Sequence, residues 1–333
     1  MSKAFSNNNH WKTLACQATG ASTAEVVESV QTLWSGYGKI FRASLIDGLP
    51  DSLIVKHVAP PTDDHHPRGW QSDFATRRKL KSYQVEANWY LHWSKLCTDQ
   101  CRVPVCYGAD QQGHQSWLLL EDLDAAGYPL RYSNLSASQA SECLKWLAGF
   151  HATFLNTQAD NLWPIGTYWH LDTRPDEFSA MEEGPLREYA HQIDAILNHC
   201  QFKTLVHGDA KVANFCFAEN SAVAAVDFQY IGGGCGMKDV AYFIGSCFDE
   251  SQCEKYAQNL LDGYFDNLQK ALHSEAKGFA EFALLEEEWR NLYPVAWTDF
   301  HRFLLGWMPT HQKIHRYTEK MTEITLQQIQ SQR

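Results

Sequence analysis

One stretch, residues 205–229, constrains this chain more than any other. It reads LVHGDAKVANFCF over 205–217 and AVAAVDFQ over 222–229. The apolar run at 215–217, the turn Glu219-Asn220-Ser221 and the second apolar run from Ala222 to Val226 predict a β-hairpin. A hairpin sets its two ends side by side. Asp209 and Asn214 stand at one end and Asp227 at the other, so three oxygen-bearing side chains meet at the base of an apolar ribbon. Hard oxygen donors in that number suit Mg²⁺, which takes one or two carboxylates together with phosphate oxygens. A carboxylate not fully engaged by metal can accept a hydroxyl proton. An Asp in a loop, an Asn five residues on and an Asp before Phe form the layout of phosphoryl transfer. Lys211, two residues after Asp209, is placed to neutralise a transferring phosphoryl group.

The N-terminal third reads as sheet. Residues 33–45 look like two strands around a glycine turn, and 52–58 (SLIVKHV) alternate like a strand. Proline-rich residues 59–73 read as a loop, and its cluster of Asp63, Asp64, His65 and His66 beside His57 reads as solvated rather than metal-binding. Leu80, Tyr83, Ala87, Tyr90 and Leu91 predict a long helix over 74–96. Residues 116–120 read as a buried strand that ends in the acidic turn Glu121-Asp122. Lys56, mid-strand, needs a counter-charge or a phosphate, and Glu86 on the following helix is a candidate partner. Gly36 and Gly38 fit either backbone approach to phosphates or a plain hairpin turn.

Beyond residue 130 helical periodicity dominates. Ser136 or Ser138 is placed to cap a helix that runs to Phe154, and further helices are expected in 185–200, 251–272, 280–307 and 310–330. A chain of 333 residues has roughly two domain-lengths, expected here as 1–121 and 122–333. A net charge of −11 argues against a nucleic-acid binder, and no apolar run reaches a membrane span. The first eleven residues lack the apolar core of a signal peptide, so the ten cysteines, none spaced Cys-x-x-Cys, read as reduced thiols of a cytoplasmic protein.

The strings HGDAKVANF, VDFQ, Gly236 with DVAYF (239–243) and RKLKSYQVEANWY (78–90) resemble the aminoglycoside phosphotransferase and choline kinase-like superfamily. They look most like its ecdysteroid kinase-like branch, over roughly residues 30–310. The resemblance implies an α+β, bilobal protein-kinase-like fold: a small antiparallel-sheet N-lobe with one long helix, and a larger, mainly helical C-lobe. It implies ATP and Mg²⁺ as cofactors. Asp209 would be the catalytic base, with Lys211 beside it; Asn214 and Asp227 would hold the metal. Lys56 would contact the α- and β-phosphates and pair with Glu86. Residues 119–123, with Glu121 and Leu123, would meet adenine through their backbone. Gly36 and Gly38 depart from the protein-kinase glycine loop. Gln229 stands where protein kinases have Gly, and Asp239 follows Asp227 too closely for a phosphorylatable activation segment. Both departures point to a small hydroxylated molecule as acceptor. A nucleotide-binding pseudokinase is the alternative, although all five key polar residues are present. The acceptor itself, the choice of ATP over GTP and the oligomeric state stay open.

Other residues carry plainer expectations. His207 buttresses the loop, and His151 is a satisfied core histidine. Asp239 is either a helix N-cap or a carboxylate tied to the catalytic loop. Gly232-Gly233-Gly234 reads as a flexible turn near the substrate mouth. Trp289, Tyr293, Trp297, Phe300 and Trp307 read mainly as core of a C-terminal helix. Choline-type kinases place an aromatic and acidic ammonium pocket in this lobe, and Trp297 with Asp299 could supply one here.

Overall fold

Alternation of apolar and polar side chains builds the N-terminal sheet. In the computed structural model, which describes residues 9–33, 36–60, 73–274 and 280–331, the chain divides into two units. The first holds 1–96 with 103–130, and the second 97–102 with 131–333.

The first unit opens with helix α1 (His10–Thr19) and strand β1 (Thr23–Thr32). Strands β2 (Gly38–Ile46) and β3 (Ser52–Val58), helix α2 (Asp73–Asn88), and strands β4 (Cys106–Gln112) and β5 (Gln115–Glu121) follow. The sheet is antiparallel in the order β1-β2-β3-β5-β4. Phe41, Ala43, Leu53, Val55, Trp117 and Leu119 bury one face against Trp11 and Ala15 of α1. Val58 and Ile40 meet Tyr83 and Leu80 of α2 on the other. Edge strand β1 breaks register with β2 at two places, Val26/Glu28 and Ser29/Gln31, and such irregularity helps keep an edge from pairing.

Several expectations shift by a few residues. The first strand lies at 23–32, not after residue 33, and α1 and β4 had no clear period to announce them. The helix expected over 74–96 is α-helical to Asn88, then continues as a π-turn over 89–93 and a 3₁₀ turn over 94–96. Leu91 accordingly faces outward, 42% exposed. Residues 61–72, with Asp63, Asp64, His65 and His66, lie outside the described residues.

The second unit begins with α3 (Ala137–Thr153). Its cap is Ser136, whose hydroxyl accepts from Gln139 N while the Gln139 side chain accepts from Ser136 N. Ala140, Leu144, Leu147 and His151 line its buried face. Next come α4 (Pro175–Ala180), α5 (Pro185–Glu188) and α6 (Ala190–Asn198), the last two replacing one helix expected over 185–200. Short strands β6 (Thr204–Val206), β7 (Phe215–Phe217), β8 (Val223–Ala225) and β9 (Gly232–Gly234) occupy the middle. Helices α7 (Met237–Cys247), α8 (Glu250–Ser274), α9 (Phe282–Trp307) and α10 (Arg316–Ser331) complete it. α8 packs on α3, and α9 packs on α6, α7 and α10.

Gly232–Gly234 is a strand paired with β6, not a flexible turn. A Cβ on Gly232 would lie 2.1 Å from the Trp163 carbonyl oxygen, so glycine is there for close backbone approach. All ten cysteines are free thiols, and no described helix is long and apolar enough to cross a membrane.

Candidate active site

The loop after β6 is held from below by a single carboxylate. Asp239, in the first turn of α7, accepts from His207 N at 2.6 Å and from Gly208 N at 2.9 Å. It also meets His151 Nε2 at 3.2 Å, and His151 Nδ1 meets the Tyr264 hydroxyl at 2.8 Å. Gly236 occupies the N-cap, so Asp239 is the tie to the loop. Gly208 has φ +80°, and a Cβ there would lie 2.1 Å from the Tyr230 carbonyl oxygen. The His207 ring spans to the second strand. Its Nδ1 accepts from Asp209 N, which leaves the proton on Nε2 to donate to Val226 O at 3.0 Å.

This scaffold presents Asp209. Its Oδ2 accepts from Lys211 Nζ at 2.7 Å and Asn214 Nδ2 at 3.2 Å, and its Oδ1 from the Tyr242 hydroxyl at 3.1 Å. Burial raises its pKa and the like charge of Asp227 adds to this, while Lys211 opposes. Burial pulls the Lys211 pKa down, but the Asp209 carboxylate more than compensates and the net shift is upward.

The expected hairpin forms with Phe215 opposite Ala225, and Val226 N donates to Asn214 O one step beyond. Asn214 and Asp227 are therefore neighbours at its base. Asn214 turns its amide nitrogen to Asp209, including the carbonyl at 2.8 Å, so its amide oxygen is the donor left for a cation. Asp227 has φ +70°, uncommon for a non-glycine residue, and accepts from Gln229 Nε2 at 2.7 Å. Among the described residues no three His, Cys, Asp or Glu converge as a metal cluster. Two carboxylates and an amide oxygen do not suit zinc; they suit Mg²⁺, which completes its shell with water and phosphate oxygens.

The other expected site residues lie in the first unit. Lys56 Nζ meets both Glu86 oxygens, at 2.8 and 2.6 Å, with both side chains buried. Gly36 has φ +74° and Gly38 φ +138°; a Cβ on Gly38 would lie 2.0 Å from the His57 carbonyl oxygen. The close approach of β2 to β3 thus accounts for Gly38. Glu121 is doubly bonded to Val105, and Leu123 O accepts from Tyr128 N.

Trp297 and Asp299 are core residues, as the helix pattern indicated, and do not form the alternative ammonium pocket. Asp299 is fully buried and neutralised by Arg302 at 2.8 Å, and its second oxygen accepts from Trp169 Nε1 at 3.0 Å. Trp297 packs on Tyr293 and Tyr317. Two residues escaped the sequence reading. Tyr242 sits in the string 239–243, one turn after Asp239 on α7. Lys313, over the Tyr242 ring, lies in a turn before α10, within the stretch 310–330 expected to be helical throughout, whose helix begins only at Arg316.

A model of the ecdysteroid kinase-like family matches residues 75–162 and 167–275. Among solved structures, a thermostable aminoglycoside phosphotransferase variant with AMP-PNP and hygromycin B is 10% identical at a TM-score of 0.50. The match covers 95% of this chain and 97% of that one, and the likeness is one of fold. A microcompartment-associated aminopropanol kinase is 13% identical, covering 94% and 93%, at a TM-score of 0.47. A putative fructosamine-3-kinase from Haemophilus somnus 129PT is 14% identical, covering 96% of each chain, at 0.47. No curated protein matches the sequence.

Proposed function

The chain belongs to the ecdysteroid kinase-like family and is by that membership a small-molecule kinase; we propose that it transfers the γ-phosphoryl group of ATP, with Mg²⁺, to a hydroxyl. The observation that carries this reading is the setting of Asp209. A buried carboxylate with a raised pKa, held by Lys211, Asn214 and Tyr242, stands beside a second carboxylate and an amide oxygen.

Bound Mg·ATP would supply the phosphoryl group and much of the neutralisation of its charge. Asn214 and Asp227 would hold the metal. Asp209 would accept the proton of the acceptor hydroxyl, and its three donors use only part of its acceptor capacity. Lys211, now paired with Asp209, would turn to the developing phosphate charge. Lys56, oriented by both oxygens of Glu86, would serve the α- and β-phosphates, and the backbone around Glu121 and Leu123 the adenine. Catalysis of this kind is chiefly positioning and electrostatics. A pseudokinase would be expected to lack one of Lys56, Glu86, Asp209, Asn214 or Asp227, and all are present. Ten free thiols accord with a reducing compartment, so the reading includes a cytoplasmic location.

Thermal denaturation with ATP, with and without Mg²⁺, tests the reading. Ligand at a hundredfold excess over Kd adds ~2.7 kcal/mol of stability. A Mg²⁺-dependent rise in Tm supports it; no shift at millimolar nucleotide overturns it.

A further inference from the structure

The rings of Tyr168, Trp169, Tyr242, Phe300 and Phe303 pack largely edge to face in one cluster. Tyr242 ties that cluster to Asp209 through its hydroxyl. Four cations border these side chains, and three are engaged. Arg302 pairs with Asp299, Arg174 with Glu177 and the Tyr168 carbonyl, and Lys211 with Asp209. Lys313 differs. Its ammonium lies 4.8 Å from the ring centroid of Tyr242 and 5.5 Å from that of Phe300. It has no hydrogen-bond or ion-pair acceptor among the described residues. Burial lowers its pKa to about 8, against the pull of the Asp209 carboxylate. The rings recover part of the desolvation cost of this cation, but cation–π contact does not replace a counter-ion. Lys313 thus adds a cation without a paired acid beside this cluster, although the whole chain is acidic at −11.

We propose, resting on the reading of the chain as a small-molecule kinase, that Lys313 binds a carboxylate of the phosphate acceptor, so that hydroxy acids rather than amino alcohols are the substrates. One free ammonium matches one carboxylate. A phosphate dianion calls for further donors, but Arg174 already pairs with Glu177, and Arg302 pairs with Asp299 and is itself fully buried. Among the described residues of this cluster each acid is already paired: Asp299 with Arg302, Glu177 with Arg174 and Asp209 with Lys211. Lying over the tyrosine that touches Asp209, Lys313 would hold the acceptor by its acid group while its hydroxyl faces the base.

The test uses the full chain with Mg·ATP and measures ADP release. The probes are aliphatic and aromatic hydroxy acids, each beside the primary amide and the amine of the same skeleton. Acids should exceed their amides in kcat/KM by roughly ten- to a hundredfold, the range of a charge-assisted contact. Lys313→Met should erase that ratio and Lys313→Arg should largely keep it, which a merely structural role would not produce. Removing a half-buried charge that has no acceptor should leave Tm equal or higher, so a poorly folded Lys313→Met protein counts against the proposal. Mg·ATP binding with no acid exceeding its amide, or with amines preferred, overturns the proposal and leaves the kinase reading standing. Absence of Mg·ATP binding overturns the kinase reading itself.

Discussion

The hydroxyl of Tyr242 donates to Oδ1 of Asp209 at 3.1 Å, from the same helix whose Asp239 holds the backbone of His207 and Gly208. Helix α7 therefore fixes both the loop and the carboxylate that the loop presents. Tyr242→Phe removes one donor from Asp209 and leaves the ring in place. Loss of about 1–1.5 kcal/mol of positioning should lower kcat roughly tenfold. The Mg·ATP-induced Tm shift should stay as it is. Steady-state kinetics with an unchanged kcat would remove Tyr242 from the positioning machinery.

Asp209 and Asp227 should separate in their effects. Asp209→Asn keeps shape and hydrogen bonding but cannot take a proton, so turnover should fall by about 10²–10⁴ while nucleotide still binds. Asp227→Ala should instead abolish the Mg²⁺-dependent part of the Tm shift. Near-normal turnover in the first variant, or an undiminished shift in the second, would reverse the assignments.

Asp239 is a stability residue as much as a site residue. It is fully buried and serves two backbone donors and His151. Asp239→Ala leaves those donors unpaired in the interior and should cost about 3–5 kcal/mol. Urea denaturation reads this as a fall in midpoint with an unchanged slope. A variant as stable as the parent would show that the loop is held some other way.

Acid lability should have a specific histidine component. His301, buried on α9 with Nδ1 at 2.9 Å from the Thr322 hydroxyl, has its pKa lowered by burial, and further by His315, from 6.5 to about 4. The unfolded chain binds the proton more readily, so this stability is complete above about pH 6.5. It is lost as pH falls, down to about 4, and amounts to roughly 3 kcal/mol over that window. His301→Gln should lose less stability between pH 7.5 and 5 than the parent. Equal losses in urea titrations at the two pH values would rule this histidine out as a source.

Much of the site was legible before any coordinates. The hairpin at 215–225, the spacing of Asp209, Asn214 and Asp227, and the pairing of Lys56 with Glu86 follow from local pattern. Period-two alternation and a turn tripeptide specify which chain ends meet, and a buried lysine demands an acid. Ser136 capping α3 and the burial of His151 were legible for the same reason. Less was visible where neighbours distant in sequence decide. Gly232–Gly234 carries no side-chain signal, and only the approach of Trp163 and β6 makes it a strand. Asp299 and Trp297 offered the composition of an ammonium pocket, but Arg302, one turn along, closes it.

The sequence by itself determined the chemistry of the loop and hairpin, because residue type and spacing within about 25 positions set which oxygens converge. Only the tertiary structure decided the surroundings of that chemistry. Tyr242 is brought to Asp209 across 33 residues, and Lys313 to the Tyr242 ring across 71. Contacts at that range arise from helix packing, which leaves no period in the chain. The proposed acceptor contact rests on one half-buried lysine placed by that packing, which the −11 summed over the whole molecule gives no hint of.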